Sequence, residues 1–248
     1  MAPSKKHNIL RSIGKWAVVA AIWIAAWQLL SLLVGHEVLL PSPFATFRRL
    51  AELLGEGEFY LAIGSTFVRV MAGFLIGAFT GGLLAVACAA SSWLRAVFSP
   101  FIAVARSTPF ASFIILALLW LKTGQVPVLT AAIMTLPIVY EGVREGIAST
   151  DEGMLHMARL YEFRPYDTLR YIWVPSVRPY LMASTASSMG LAFKAAVAAE
   201  VIGSPRYAIG GLLSDAKVYL ETTDLFAVTA ALIILSVFIE RGLRRLVG

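Results

Sequence analysis

The sequence predicts an all-α, polytopic membrane protein with about six transmembrane helices. Three observations carry this: 58% of the 248 residues are hydrophobic, only 15% are charged, and long apolar runs recur, giving a mean hydropathy of +0.77. A soluble core of this size cannot bury so much apolar surface. A span needs about 20 apolar residues, and the runs fall at 16–34, 65–90, 109–121, 126–141, 179–201 and 225–239. The third and fourth are short. That pair is expected to be kinked, re-entrant, or lengthened by the semi-polar flanks 98–108 and 142–147.

Lys5, Lys6, Arg11 and Lys15 precede the first run in the manner of a secretory leader. The run is longer than a leader core, and no small-x-small cleavage site follows before Pro41, so 16–34 reads as a first transmembrane helix after a short segment 1–15. Residues 35–60 form a loop in which Pro41-Ser42-Pro43 introduces a short amphipathic helix. Phe47, Leu50, Ala51 and Leu54 share one face there, and Gly55 and Gly57 end it. The rest, 61–243, reads as one membrane domain. Gly73, Gly77 and Gly81 recur every fourth residue, a spacing for close helix packing within the chain or between subunits.

Basic residues set the orientation. With both termini in the cytoplasm, Lys5, Lys6, Arg11, Lys15, Arg95, Arg144, Arg159, Arg164, Arg170, Arg178, Arg241, Arg244 and Arg245 lie inside. Arg48, Arg49, Lys122, Arg206 and Lys217 lie outside. The net charge of +6 is therefore a topology signal, and no basic run is dense enough for nucleic acid. The single cysteine, Cys88, falls inside a span, where it serves as a small apolar residue. His7, His36 and His156 are too far apart to share a metal.

The most informative stretch is polar and cytoplasmic: STDEGMLHMARLYEFRPYDTLRYIWVP, residues 149–175. A connector between spans could be much shorter, so this island reads as a docking surface. Ser149 and Glu152 have capping-box spacing, with Asp151 and Glu152 in the first turn where the helix dipole favours them. Met154, Met157, Ala158 and Tyr161 then share a face expected to be exposed, with Leu155 beside it. Arg164-Pro165 ends this helix and opens a second over 166–172. Val174-Pro175 and Pro179 are expected to turn the chain back into the membrane.

The island resembles the cytoplasmic loop of binding-protein-dependent ABC importer permeases, which reads Glu-Ala-Ala, three residues, Gly, nine residues, Ile, one residue, Leu-Pro. The pattern falls on His156, Met157, Ala158, then Glu162, then Ile172, Val174 and Pro175. His156 stands for the acidic residue and Glu162 for the glycine. Glutamate resists a left-handed conformation, so the turn is expected to use a different backbone geometry. Pro41-Ser42-Pro43, the run from Ser65 through Arg69-Val70 to Gly73-Phe74, Arg106-Ser107-Thr108-Pro109, Trp120 with Gly124, and Ala198-Ala199-Glu200 with Gly203 are similar to the subfamily that imports nitrate, taurine, aliphatic sulfonates and some vitamin-precursor heterocycles.

That resemblance implies a type I ABC importer permease fold in a bacterial-type inner membrane. It implies a coupling helix drawing on Ser149, Glu152, Met154, His156, Met157, Ala158, Arg159, Tyr161, Glu162, Pro165 and Pro175. The implied partners are two cytoplasmic ATPase subunits, a second permease copy as a homodimer, and an external solute-binding protein. ATP and Mg would be held by the ATPases, and this sequence contains no G-x-x-x-x-G-K-[ST] loop. The alternatives are an ion-gradient-driven secondary transporter, which calls for mid-membrane carboxylates and inverted symmetry, and a polytopic membrane enzyme, which calls for a catalytic cluster at one membrane face.

Charged residues inside spans are costly and mark candidate sites. Arg69 either snorkels from the outer start of the second span or acts in the pathway. Lys194 either lines the pathway and attracts an anionic solute or belongs to an interhelical ion pair. Glu200 is six residues from Lys194, off its helix face, and is a third pathway candidate. Gly210-Gly211 is expected to break the outer segment 204–223, whose Asp215, Lys217, Glu221 and Asp224 are solvated or meet the binding protein.

Overall fold

The computed structural model describes residues 5–247 and is helical nearly throughout. Residues 1–4 of the basic N-terminal segment lie outside it, as do the side chains of Lys5, Lys6, His7, Arg11 and Arg244. The helices are α1 (Lys5–Val34), α2 (Pro43–Leu53), α3 (Gly57–Ala90), α4 (Ser92–Ser107), α5 (Phe110–Ala117), α6 (Val126–Ala148), α7 (Glu152–Leu160), α8 (Pro165–Thr168), α9 (Val174–Gly203), α10 (Ile209–Val218) and α11 (Thr222–Val247). Five helical runs are long and apolar enough to cross a membrane, and the pair α4 and α5 makes a sixth if counted together.

That pair resolves the short third run. α5 has eight residues, about 12 Å of helix, and cannot span alone. It continues α4 across a 103° bend at Thr108-Pro109. Proline pushes the preceding residue to extended angles, as at Thr108 (ψ 125°), whose hydroxyl bonds back to the Val104 carbonyl at 2.7 Å. The fourth run is lengthened instead. α6 continues to Ala148, and Glu141, the last residue of the apolar run, pairs with Arg106 (3.2 Å) and Arg144 (2.8 Å).

α6 and α9 are the most buried spans, and α3 packs along α6 through its glycines. A Cβ on Gly73, Gly77 or Gly81 would collide with the carbonyl oxygens of Val128, Ala132 and Leu136 in turn. The ladder therefore serves packing within the chain. α6 repeats the device toward α9: Gly142 lies against Ser184, and Gly146 against Val177 and Tyr180. Lipid supplies no hydrophobic drive between helices, so such close van der Waals contact is what holds the spans together. Cys88 is buried beside Ile102, Val139 and Tyr140.

α1 leans on the rest through few contacts: Trp27 Nε1 donates to the Pro41 carbonyl, and Ser31 Oγ to that of Leu40. α2 matches the amphipathic helix predicted after Pro41. Ser42 caps it, Leu50 and Leu53 pack inward, and Phe47 and Leu54 face out.

Two expectations about chain breaks are corrected. Gly210-Gly211 does not interrupt its segment but lies inside α10, where a Cβ on Gly210 would meet Glu200 and Val197. The glycine permits close approach to α9. Val174-Pro175 and Pro179 likewise do not turn the chain, Pro179 lying inside α9. Residues 165–203 form one run through a π-helical segment, Leu169–Trp173, in which the Val174 N–H donates to the Leu169 carbonyl. Pro175 has no N–H and its ring crowds the carbonyl four residues back, and the widened turn accommodates both.

Candidate functional site: a docking helix and a transmembrane charge cluster

The polar island sits at the end of the bundle formed by the last turns of α3 and α6 and the first of α9. α6 ends with Ser149 as its C-cap, whose hydroxyl donates to the Gly146 carbonyl. The predicted Ser149–Glu152 capping box is thus absent. Asp151 is the N-cap, its Oδ1 accepting the Met154 N–H at 3.1 Å, and Glu152 opens α7. Asp151 belongs to the residue types that cap best. The Ser-x-x-Glu spacing two residues earlier mimics the same signal.

α7 exposes Met154, Met157, Leu160 and Tyr161, with Leu160 at 80%. Glu152, His156, Arg159, Glu162, Pro165 and Pro175 are exposed as well. Ala158, placed on the outward face by the sequence, is instead buried at 3%, on the flank of α7 that carries the half-buried Leu155. Phe163, Tyr166, Leu169 and Tyr171 extend the apolar surface along the following segment. So much exposed aromatic and thioether surface on one short amphipathic element makes it a candidate partner-binding surface.

The helix ends in a Schellman motif. The Phe163 N–H donates to the Ala158 carbonyl (2.9 Å) and the Glu162 N–H to the Arg159 carbonyl (3.2 Å). This places Glu162 at φ +51°, in the left-handed region. The expectation that glutamate would impose another turn geometry is therefore wrong: two capping hydrogen bonds hold the left-handed turn despite the side chain. The strain is released in Glu162→Gly. Net of glycine's backbone entropy, that substitution should stabilise the turn by about 1 kcal/mol. Hydrogen exchange would report it as roughly fivefold slower exchange at the 162 and 163 amides.

At the opposite end, the structure brings Arg69 and Glu200 together. Arg69 Nη1 lies 2.9 Å from Glu200 Oε1, and the Glu200 side chain is fully buried. Thr66 Oγ1 donates to Glu200 Oε2 at 2.8 Å and accepts the Ile209 N–H at 3.1 Å, while the Gly210 N–H donates to Oε2 at 3.3 Å. Arg69 also donates to the Arg206 and Tyr207 carbonyls. One cluster thus ties α3, α9, α10 and the 204–208 loop. Ser204 (φ 40°) and Tyr207 (φ 51°) both hold left-handed angles there, strain that such cross-bracing sustains. Thr66 and Gly210 were not predicted as members. The Ser65-Thr66 run beside Arg69 was the only hint.

Lys194 stands apart. It is exposed on α9, between Ala192 and Phe193 on one side and Ala195 and Ala196 on the other, all buried. It forms no ion pair among the described residues, so the interhelical-pair reading does not hold for this chain by itself. Asp224 does not stand free either. It receives Arg49 Nε (2.8 Å) and Nη2 (2.9 Å), which joins α2 to the start of α11 and raises Arg49 further above its usual pKa range. Among the described residues no His, Cys, Asp or Glu side chains are grouped to hold a metal.

Residues 73–246 match the profile of the binding-protein-dependent transport system inner membrane component. The chain belongs to this family. Its curated relatives include permeases named for sulfonate, taurine and nitrate transport. SsuC of Bacillus subtilis (strain 168), named as an aliphatic sulfonates transport permease, is 27% identical over 215 residues, covering 86% of this chain and 78% of its own. The taurine transport system permease protein TauC of Escherichia coli (strain K12) is 22% identical, covering 97% and 88%. The nitrate import permease protein NrtB of Synechococcus elongatus is 25% identical, covering 79% and 74%.

Solved ABC transporter structures share the fold. An inward-facing MetNI methionine ABC transporter aligns with a TM-score of 0.62 at 20% identity, covering 80% of this chain and 96% of that one. An amino acid ABC transporter aligns at 0.61 and 19% identity, covering 75% and 91%. The fold is that of ABC importer permeases, and the chain is a transporter component of the permease class.

Proposed function

We propose that this chain is the transmembrane subunit of an ATP-driven importer. Two copies enclose the solute path, and two cytoplasmic ATPase subunits, which bind ATP and Mg, engage α7 of each copy. An external binding protein delivers a small solute to the opposite face. Both termini and α7 lie in the cytoplasm, in keeping with the basic residues on that side. The relatives named for sulfonate, taurine and nitrate transport support a small solute, an anion of that kind; a vitamin-precursor heterocycle is the other solute class the subfamily resemblance implies. The coupling-loop boundaries 149–175 and the domain 61–243 belong to the same reading.

The observation that carries it is α7, a capped helix presenting Met154, Met157 and Leu160 exposed at the end of the bundle. A groove in a partner would accept these side chains, and ATP-dependent closure of that partner would pull on α6 and α9, between which the island is strung.

Co-purification of the tagged chain from its native membrane tests this. Wild type should recover an ABC ATPase, and Met157→Asp or Leu160→Asp should reduce recovery at least tenfold, since a buried unpaired charge in a hot spot costs roughly 2 kcal/mol or more. Ala158→Asp is a control for folding, because Ala158 is buried within this chain. Absence of any ATPase from the gently extracted wild type would sink the importer reading and bring the gradient-driven transporter forward.

A further inference from the structure

The Arg69–Glu200 pairing changes the meaning of Lys194. Glu200 is committed to Arg69, Thr66 and the Gly210 N–H, and it does not pair with Lys194. The other carboxylate near this part of α9, Glu240 on α11, packs against Gly190 one turn away and lies beyond 4.0 Å of the Lys194 ammonium. Lys194 is therefore an exposed cation within a spanning helix, without an ionic partner among the described residues. It lies nine residues before Gly203, about 14 Å along the helix from its end. That is too deep for the snorkelling open to a lysine at a helix terminus.

A charge at this depth that faced lipid would be costly. The outward faces of α3 and α11 show what this protein presents to lipid: Leu75, Ile76 and Phe79, and Ile233, Ile234 and Phe238, all exposed. Around Lys194 the exposed face of α9 is Ser187, Leu191 and the half-buried Ala198, spaced three or four residues apart. The face carries a charge and a hydroxyl where the others carry branched and aromatic side chains. It suits water.

We infer that Lys194 lines the solute path and selects an anionic solute, an oxyanion such as a sulfonate, nitrate or carboxylate, over a neutral heterocycle. This rests on the permease reading and deepens it. A lysine ammonium is a compact point charge with three rotatable donors. It meets an oxyanion without demanding a fixed geometry, which suits a group that must be released as readily as it is met. Two copies of the chain would place two such cations along one path.

Charge-selective thiol labelling of the full-length chain in nanodiscs tests this without knowledge of the solute. In a Cys88→Ala background, Leu191→Cys supplies a reporter thiol one turn from Lys194. Its reaction rates with a sulfonate-bearing methanethiosulfonate and with a trimethylammonium-bearing one are compared. The anionic-to-cationic rate ratio should fall at least about fivefold in Lys194→Met, since a unit charge one turn away acts oppositely on the two reagents. Lys194→Arg should keep the ratio. A ratio unmoved by Lys194→Met, a loss in Lys194→Arg as great as in Lys194→Met, or a thiol inert to both reagents would each overturn the proposal. Monodisperse elution and an unchanged helical circular dichroism spectrum confirm the variants' fold. Failure of the permease reading shows separately, as absence of an ATPase in the co-purification, and leaves the rate ratio as it is.

Discussion

Arg69→Met should lower the free energy of unfolding by about 3–5 kcal/mol, because it strands the fully buried Glu200 carboxylate. The loss reaches further than one pair. Arg69 also holds the Arg206 and Tyr207 carbonyls, so the 204–208 loop loses its brace at the same time. Glu200→Met should cost a similar amount by a different route, leaving the Arg69 guanidinium without its anion and the Gly210 N–H and Thr66 hydroxyl without their acceptor. In Arg69→Met with Glu200→Met the two losses should not add, because no buried charge is left unpaired. Sodium dodecyl sulfate titration of the purified protein, followed by circular dichroism, measures all three. Strict additivity of the two single costs would show that the pair is not a unit.

This cluster also shows where the sequence stops being readable. Arg69 and Glu200 were each visible as charges in apolar runs, which is costly and therefore informative. Their separation of 131 residues hid the pairing, since nothing local says which helices become neighbours. Lys194 was visible for the same reason, and only the assignment of Glu200 elsewhere reveals that it is unpaired.

The spans themselves were legible because the bilayer imposes their length, and the third run looked short because a Thr-Pro step bends it. The island's departures from expectation are those of competing local signals. Ser149 and Asp151 are both capping residues, and the choice between them depends on how far α6 persists, which packing of Gly142 and Gly146 on α9 decides. At Glu162 the propensity argument ran the wrong way. The backbone is fixed by the hydrogen bonds of the turn, and the side chain bears the strain.

The glycines of α3 give the second large effect, and they make the packing argument testable within one helix. Gly77→Leu should destabilise by about 3 kcal/mol, at the upper end of overpacking costs, because the new Cβ meets the Ala132 carbonyl and the Thr135 side chain. Backbone cannot swing aside as a flexible side chain can, so α3 and α6 must separate along the whole ladder, including its steps at Gly73 and Gly81. Gly82→Leu, five residues on, has no atom within 4 Å of the added Cβ and should instead gain about 0.5–1 kcal/mol from helix propensity. Unfolding measurements on the two variants should therefore move in opposite directions. If they moved together, the spacing of Gly73, Gly77 and Gly81 would not be what holds α3 to α6. Because α6 leads directly into the docking helix, a separated α3 should also weaken recovery of the ATPase in Gly77→Leu while leaving it intact in Gly82→Leu.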